Sequence, residues 1–394
     1  MLKLDTAERR RRIGTRHHLA TGSRATSVVE AARGMVALHA TDPASVYLEA
    51  LARVPRLDVA TMEEALYDER SLVRILGMRR TMFVVPPDFA PVIQAACTDA
   101  IAVTERKRTT SLLAGAGIGG SNPGRWLRDV EAKTMAALEA RGEAVATELT
   151  KDVPELATQI PFGAGKTWQG TLGVSTRVLF LLSMEGRILR ARPRGSWISS
   201  QYRWTPADRW LPGGIAPLAV DEARVELVRS WLATFGPGTV ADLRWWTGWT
   251  LGEVRKALAR LATTEVDLDG VAGLVLEGDE ARTPTVAPWV GLLPPLDATI
   301  MGWTGREWYL GAHRSALFDR SGNAGPTVWA DGRVAGGWGQ GPGGKVVWRL
   351  LEDVGSEARS AIEREAARVE AFVGPVRVIP RFRTPLEQEL ARGT

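Results

Sequence analysis

An α+β fold class follows from three features of this sequence. Paired helical segments recur along the chain, a basic hairpin stands behind each pair, and the C-terminal part alternates like strands. At 394 residues, two to four compact units are expected. With 45% hydrophobic and 24% charged residues, the chain is globular rather than disordered.

The clearest pair lies within 236–277. Thr239 caps a short helix running through Trp246, and Gly248 makes the turn. Thr250 with Glu253 forms a capping box that opens a second helix. There Leu251, Val254, Leu258 and Leu261 share one face, while Arg255, Lys256 and Arg260 lie off it. Apolar runs at 266–268 and 274–276 flank the turn pair Asp269-Gly270 and predict a hairpin. Helix, turn, helix, hairpin is the order of a winged-helix module, whose second helix is the one that enters a nucleic-acid groove.

Two earlier stretches repeat the pattern. Ser27 with Glu30 and Thr61 with Glu64 are capping-box candidates, and 72–82 supplies a wing through Arg74 and the basic turn Gly77-Met78-Arg79-Arg80. A middle module starts near Asn122, with Trp126, Val130, Ala137 and Leu138 on an amphipathic helix, and continues through 144–149. Its later helix is expected at 175–185 and its wing at 186–204, with Arg190, Arg192 and Arg194 leading to Trp197. Between these modules, 112–122 is rich in Gly and Ala and predicts a loop. Toward the C-terminus, 301–310, 327–329 with 334–338, and 345–351 alternate like strands, with Asp331-Gly332 as a hairpin turn. A small sheet or β-barrel is expected there, then a helix at 356–373, a strand at 376–379 and a frayed tail from Arg381. The domains are accordingly 1–110, 111–215 and 216–285 for three winged helices, and 286–394 for the C-terminal barrel with its terminal helix.

Composition excludes several classes. One cysteine, Cys97, leaves no disulfide framework or multi-thiolate site, and His17, His18, His39 and His313 lack metal-ligand spacing, so no metal and no cofactor are expected. The apolar run at 178–184 is too short to span a bilayer, and MLKLDTAERRRR carries no apolar segment behind its charges. The expectation is a cytoplasmic, nucleoid-associated monomer. Fifty basic against 45 acidic residues favour a polyanionic partner weakly. Arginine supplies 43 of the 50 bases; GC-rich codon usage and the fit of guanidinium forks to phosphates and guanine edges both account for that bias.

Several short segments then fall in a specific order. They are Leu38-His39-Ala40-Thr41-Asp42-Pro43, Leu72-Val73-Arg74 through Thr81-Met82 to Val85-Pro86, Thr176-Arg177-Val178-Leu179, Arg192-Pro193-Arg194-Gly195-Ser196-Trp197, and Leu293-Pro294-Pro295-Leu296-Asp297. From about Ala25 to about Ile379 the chain resembles the AlkZ/YcaQ-type bacterial DNA glycosylases, the HTH-42 winged-helix family. The resemblance implies three tandem winged helices and a C-terminal β-barrel, C-shaped around DNA. It also implies excision of bases alkylated at purine N7 or N3, bulky or crosslinked adducts included, from duplex DNA. The family's catalytic motif is Gln-apolar-Gln or Gln-apolar-Asp followed by Asp-Pro. Aligned on Asp42-Pro43, His39 stands at the first glutamine and Thr41 at the second position.

Hydrolysis at an alkylated purine passes through an oxocarbenium-like state, and the cationic base leaves without strong acid. The site must place a water and stabilise positive charge on the sugar. A neutral His39 accepts a hydrogen bond from that water, Thr41 orients it, and Asp42 supplies negative charge. These three are the candidate catalytic residues. The alternative for His39 is a side chain satisfied by local backbone, and for Asp42-Pro43 a plain turn. Arg74, Arg79, Arg80, Arg192, Arg194, Arg255 and Lys256 are the candidate DNA contacts, against solvated turn residues. Trp245, Trp246 and Trp249 read as core. The alternative function is a non-catalytic winged-helix DNA-binding protein or transcriptional regulator.

Overall fold

The computed structural model describes residues 2–163, 165–166 and 169–393. They form two compact units. One comprises Met1–Leu72, Thr81–Pro86 and Arg224–Thr394, and the other Val73–Arg80 and Pro87–Ala223.

The larger unit begins with a helix that the sequence analysis left unassigned. Asp5 caps Thr6–Arg16 by accepting from the Glu8 N–H at 2.9 Å. Its arginines turn inward. Arg12, 2% exposed, donates through Nε to Glu8 at 2.9 Å and through Nη2 to the carbonyls of Asp279 and Ala281. Asp279 also takes both Arg12 and Arg16. Gly14 lets Trp289 approach, since a Cβ there would stand 2.6 Å from the indole nitrogen. Ahead of the helix, Leu2–Lys3 lies parallel to Thr263–Asp267, and Leu4 joins Val266, Leu268 and Val275 in a small core.

Local signals hold well in the module at 236–277. Thr239 caps Val240–Thr247 in a full capping box with Asp242, Gly248 ends that helix at φ 76°, and Thr250 with Glu253 opens Leu251–Leu258. Thr263–Asp267 and Ala272–Leu276 pair antiparallel around Asp269 and Gly270, both at positive φ. Trp246 and Trp249 are buried and Trp245 half-buried.

Elsewhere the caps shift. Ser27 does cap Val28–Gly34, but the Glu30 carboxylate bonds Thr26 instead of closing the box. Asp58, not Thr61, caps Val59–Glu63, because its carboxylate already holds the Thr61 N–H at 2.8 Å.

The C-terminal barrel is not formed. Val290–Leu293, Thr327–Ala330, Arg333–Gln340 and Val346–Leu350 make an open antiparallel sheet in that order, and among the described residues its two edge strands do not pair. The helix Gly355–Val373 packs on both edge strands, which covers them without a closing ladder. Residues 301–310 are not a strand either. The N–H groups of Thr304 and Gly305 go to the Asp242 carboxylate, and Glu307–Leu310 is a helical turn. At 376–379 the backbone pairs with a side chain rather than a strand, Val378 N–H donating to Gln340 Oε1 at 2.7 Å. The tail is ordered: Pro385–Arg392 is a helix on Arg333–Gln340, with Leu386 and Leu390 buried.

The smaller unit carries Asp99–Gly115, Pro123–Arg141, Ala146–Asp152 and Val174–Met184 as its main helices. Asp99–Gly115 reaches into the stretch expected as loop. Its hairpin, Ile188–Pro193 with Tyr202–Pro206, is the predicted wing. Arg177 is spent inside, donating to Glu105 at 2.7 Å and to Thr109.

Glu8 gives the N-terminal helix a pH signature. Burial opposes its ionisation, but the Thr283 N–H, the Arg12 guanidinium and the Thr283 hydroxyl outweigh that and bring the carboxyl down to about 2 from its ordinary 4.5. A depressed carboxyl stabilises the fold fully above its unfolded value and loses that contribution as pH falls toward the folded one. The thermal unfolding temperature of wild type should therefore drop between about pH 4.5 and pH 2 more steeply than that of Glu8→Gln, and equal slopes would refute the assignment.

Candidate active site

The linker 38–42 enters as a short strand. Leu38 and His39 pair with Val84 and Phe83, and the His39 ring meets Phe83 edge-on at 5.2 Å. His39 is 3% exposed. Thr41, half-buried, accepts the Met82 N–H on Oγ1 at 3.1 Å. Asp42 is the N-cap of the Pro43–Leu51 helix, where proline at the first position suits an orphan N–H site. Its Oδ1 accepts from Ala44 at 3.1 Å and its Oδ2 from the Arg381 backbone N–H at 2.9 Å. Burial raises the Asp42 carboxyl, partly countered by those two N–H donors.

Behind the linker stand charges that sequence reasoning passed over. Glu49 lies in that helix and Arg53 in the turn just beyond its Ala52 C-cap, four residues on, both 0% exposed. Glu49 Oε2 accepts the His39 N–H at 2.7 Å, and Oε1 accepts the Ala298 N–H at 3.1 Å. Arg53 forks onto Asp297 at 2.9 and 2.8 Å, with a further bond to Thr299 Oγ1. Burial would depress the Arg53 guanidinium, but the Asp297 carboxylate more than offsets it. Burial, then the Asp297 charge, pushes Glu49 well above the usual carboxylate range. Thr299 Oγ1 also meets His17 Nδ1 at 2.9 Å, and burial holds that imidazole well below its ordinary value.

The signal for this cluster was present in Val46-Tyr47-Leu48-Glu49-Ala50-Leu51-Ala52-Arg53, where an acid and a base four apart interrupt an otherwise apolar run. The structure also brings together two of the ordered segments. Ser45 Oγ donates to the Pro295 carbonyl at 2.9 Å, so 293–297 seats on the helix that follows Asp42.

The predicted DNA contacts separate by environment. Arg255 and Lys256 are exposed on Leu251–Leu258. Arg194 is exposed and Arg192 half-buried on the smaller unit's wing. Arg79 and Arg80 both take positive φ, and Arg80 pairs with Glu105 at 3.1 Å. Arg74 is 3% exposed, 5.2 Å above the Tyr202 ring, which gives it a packing role.

Capped helix pairs with hairpin wings define a winged-helix protein with an α+β fold. The chain belongs to the AlkZ-like DNA glycosylase family, whose model matches residues 32–372 and so contains the linker, Glu49, Arg53 and Asp297. It is similar to a Streptomyces sahachiroi protein described as an interstrand DNA cross-link repair glycosylase, at 29% identity over 172 residues. That match spans 40% of this chain and 46% of the relative, less than half its length. The solved structure of Streptomyces sahachiroi DNA glycosylase AlkZ aligns with a TM-score of 0.70 over 95% of this chain and 97% of that one. Its identity is 21%, and the likeness is one of fold. Among the described residues no helix is long and apolar enough to cross a membrane.

Truncating Asp297 to Ala should lower stability by about 3–5 kcal/mol in chemical denaturation, because it leaves the Arg53 charge buried without its fork partner. A loss below about 1 kcal/mol, the scale of an exposed pair, would show that the fork contributes little.

Proposed function

We propose that this protein is a monofunctional DNA glycosylase that hydrolyses the N-glycosidic bond of an alkylated purine in duplex DNA, using His39, Thr41 and Asp42. The observation that carries the proposal is the arrangement of the linker. Three different elements hold its three polar residues: Glu49 takes the His39 N–H, Met82 donates to Thr41, and Arg381 donates to Asp42. Such anchoring suits a site that must present groups to a substrate without reorganising.

The roles follow from the surroundings. A lesion that is already cationic needs a placed water and negative charge near the sugar rather than a strong acid. His39, shielded from bulk solvent, takes the proton-accepting role toward that water in its neutral form. Thr41 is the member nearest solvent, and its hydroxyl hydrogen remains to orient the water while its oxygen accepts from Met82. Both Asp42 oxygens already accept backbone N–H groups, so Asp42 acts through charge on the oxocarbenium-like sugar and not as the base. The exposed Arg194, Arg255 and Lys256 are the predicted side chains best placed to meet phosphates, acting on a monomer in the cytoplasm.

A second reading, a DNA-binding protein without catalysis, is favoured by one observation. The His39 ring packs against Phe83 and Asp42 caps a helix, so both side chains have structural uses. Base release from a duplex carrying one N7-methylguanine separates the readings. Wild type should release the base, His39→Ala should lose about 100-fold or more in rate, the scale of a general base, and duplex affinity should be unchanged. His39→Gln, which restores the amide of the resembling family's motif, should retain activity. Equal release by wild type and His39→Ala would remove His39 from the mechanism. Binding without release by any variant would favour the second reading.

A further inference from the structure

We propose that an arginine-lined groove in the C-terminal region is a phosphodiester track for one DNA strand, continuous with the His39–Asp42 linker. The proposal rests on the DNA reading above and names a surface outside its candidate contacts. The groove has a volume of about 1010 Å³, and Arg314, Phe318, Asp319, Arg320, Arg383 and Gln388 are among its walls.

Three exposed guanidiniums converge there from three separate elements. Arg314 opens the Arg314–Leu317 turn, Arg320 sits in the loop after it, and Arg383 precedes the Pro385–Arg392 helix. The acid in the wall is Asp319, and its loop consumes it. Its Oδ1 accepts the N–H groups of Ser321 and Asn323, and its Oδ2 accepts Asn323 Nδ2, all at 2.8 Å. Arg383 gives Nε and Nη2 to Glu387 and keeps the rest of its five N–H donors. Arg314 lies 5.2 Å from the Phe318 ring, a support that uses no N–H. The groove is open to solvent, and its polar rim adds Ser315, Ser321 and Gln388 to the three guanidiniums, the donors that phosphate oxygens take.

Position connects it to the candidate site. The backbone N–H that holds Asp42 belongs to Arg381, two residues before Arg383. Two residues span at most about 7 Å, and a DNA strand advances about 3.4 Å per nucleotide. Backbone to backbone, the near end of the groove is therefore no more than about two nucleotides from the linker.

The test measures affinity for an undamaged duplex by fluorescence anisotropy between about 50 and 200 mM salt, where each lost phosphate contact flattens the log–log slope by about 0.9. Arg314→Ser with Arg320→Ser should flatten the slope by about 1.8, so the rise in salt weakens this variant about tenfold less than wild type. Arg359→Ser with Arg364→Ser, exposed on the Gly355–Val373 helix, removes the same net charge and should leave the slope unchanged. A wild-type slope in the groove variant overturns the track, as does equal flattening in both variants. Wild type that fails to bind DNA at all overturns the DNA reading itself, and the track with it.

Discussion

The buried guanidinium of Arg53 is the group on which the candidate site depends. Moving an ion of this size out of water costs several kcal/mol, and only a set of close partners offsets that cost. Arg53 has partners for both of its Nη groups in Asp297, Thr299 and the Glu49 carbonyl, while its Nε is buried without one among the described residues. One end of the set lies on the helix beginning at Pro43 and the other on a segment 244 residues further along the chain. The linker carrying His39 and Asp42 is thus braced by residues remote in sequence. Glu49 extends the brace, with one carboxylate oxygen on the linker and the other on Ala298. A shift of the 293–299 segment would be felt at His39 through a single side chain.

The same chemistry governs the N-terminal helix. Arg12 and Arg16 share Asp279, Arg12 also holds Glu8, and Arg9 stands 3.8 Å over the Trp308 ring. A guanidinium suits these places better than an ammonium would, because its planar fork satisfies two acceptors at once and stacks on aromatic faces. Part of the arginine excess is therefore structural, and the net positive charge says less about DNA contact than the placement of the exposed arginines.

How far the sequence foretold the structure depended on the range of the interactions involved. The module at 236–277 was legible because its determinants are local: Thr239, Thr250, Gly248 and the Asp269-Gly270 turn each act within a few residues. The 301–310 segment misled because its alternation matches a strand, whereas the N–H groups of Thr304 and Gly305 are claimed by Asp242, some sixty residues earlier. The barrel failed for a related reason. Alternation shows that strands have two faces but not whether the last strand meets the first, and here a helix covers both edges. The charged tail looked solvated, yet Leu386 and Leu390 fall four apart on one face and bury against the sheet. Within the site, the ordered segments singled out His39 and merely contained Asp297, while Glu49 and Arg53, which link them, looked like ordinary charges in and just beyond a helix.

These constraints bear on what the departure from the glutamine motif can mean. The scaffold holds His39 in two ways, by the backbone N–H on Glu49 and by the edge-on contact of its ring with Phe83, and only the first is independent of the side chain. Asp42 is the reverse case, since its carboxylate is the cap, and the helix that carries Glu49 and leads into Arg53 starts from it. A change of side chain at position 39 therefore leaves the brace intact, whereas a change at Asp42 would loosen the helix and the Arg381 backbone together. The chain keeps the side chain that caps the helix and departs from the motif at a position whose link to the brace runs through its backbone. That pattern is what a shifted substrate or a changed water-placing group would leave behind, on a linker whose geometry is maintained at the cost of burying an acid and a base.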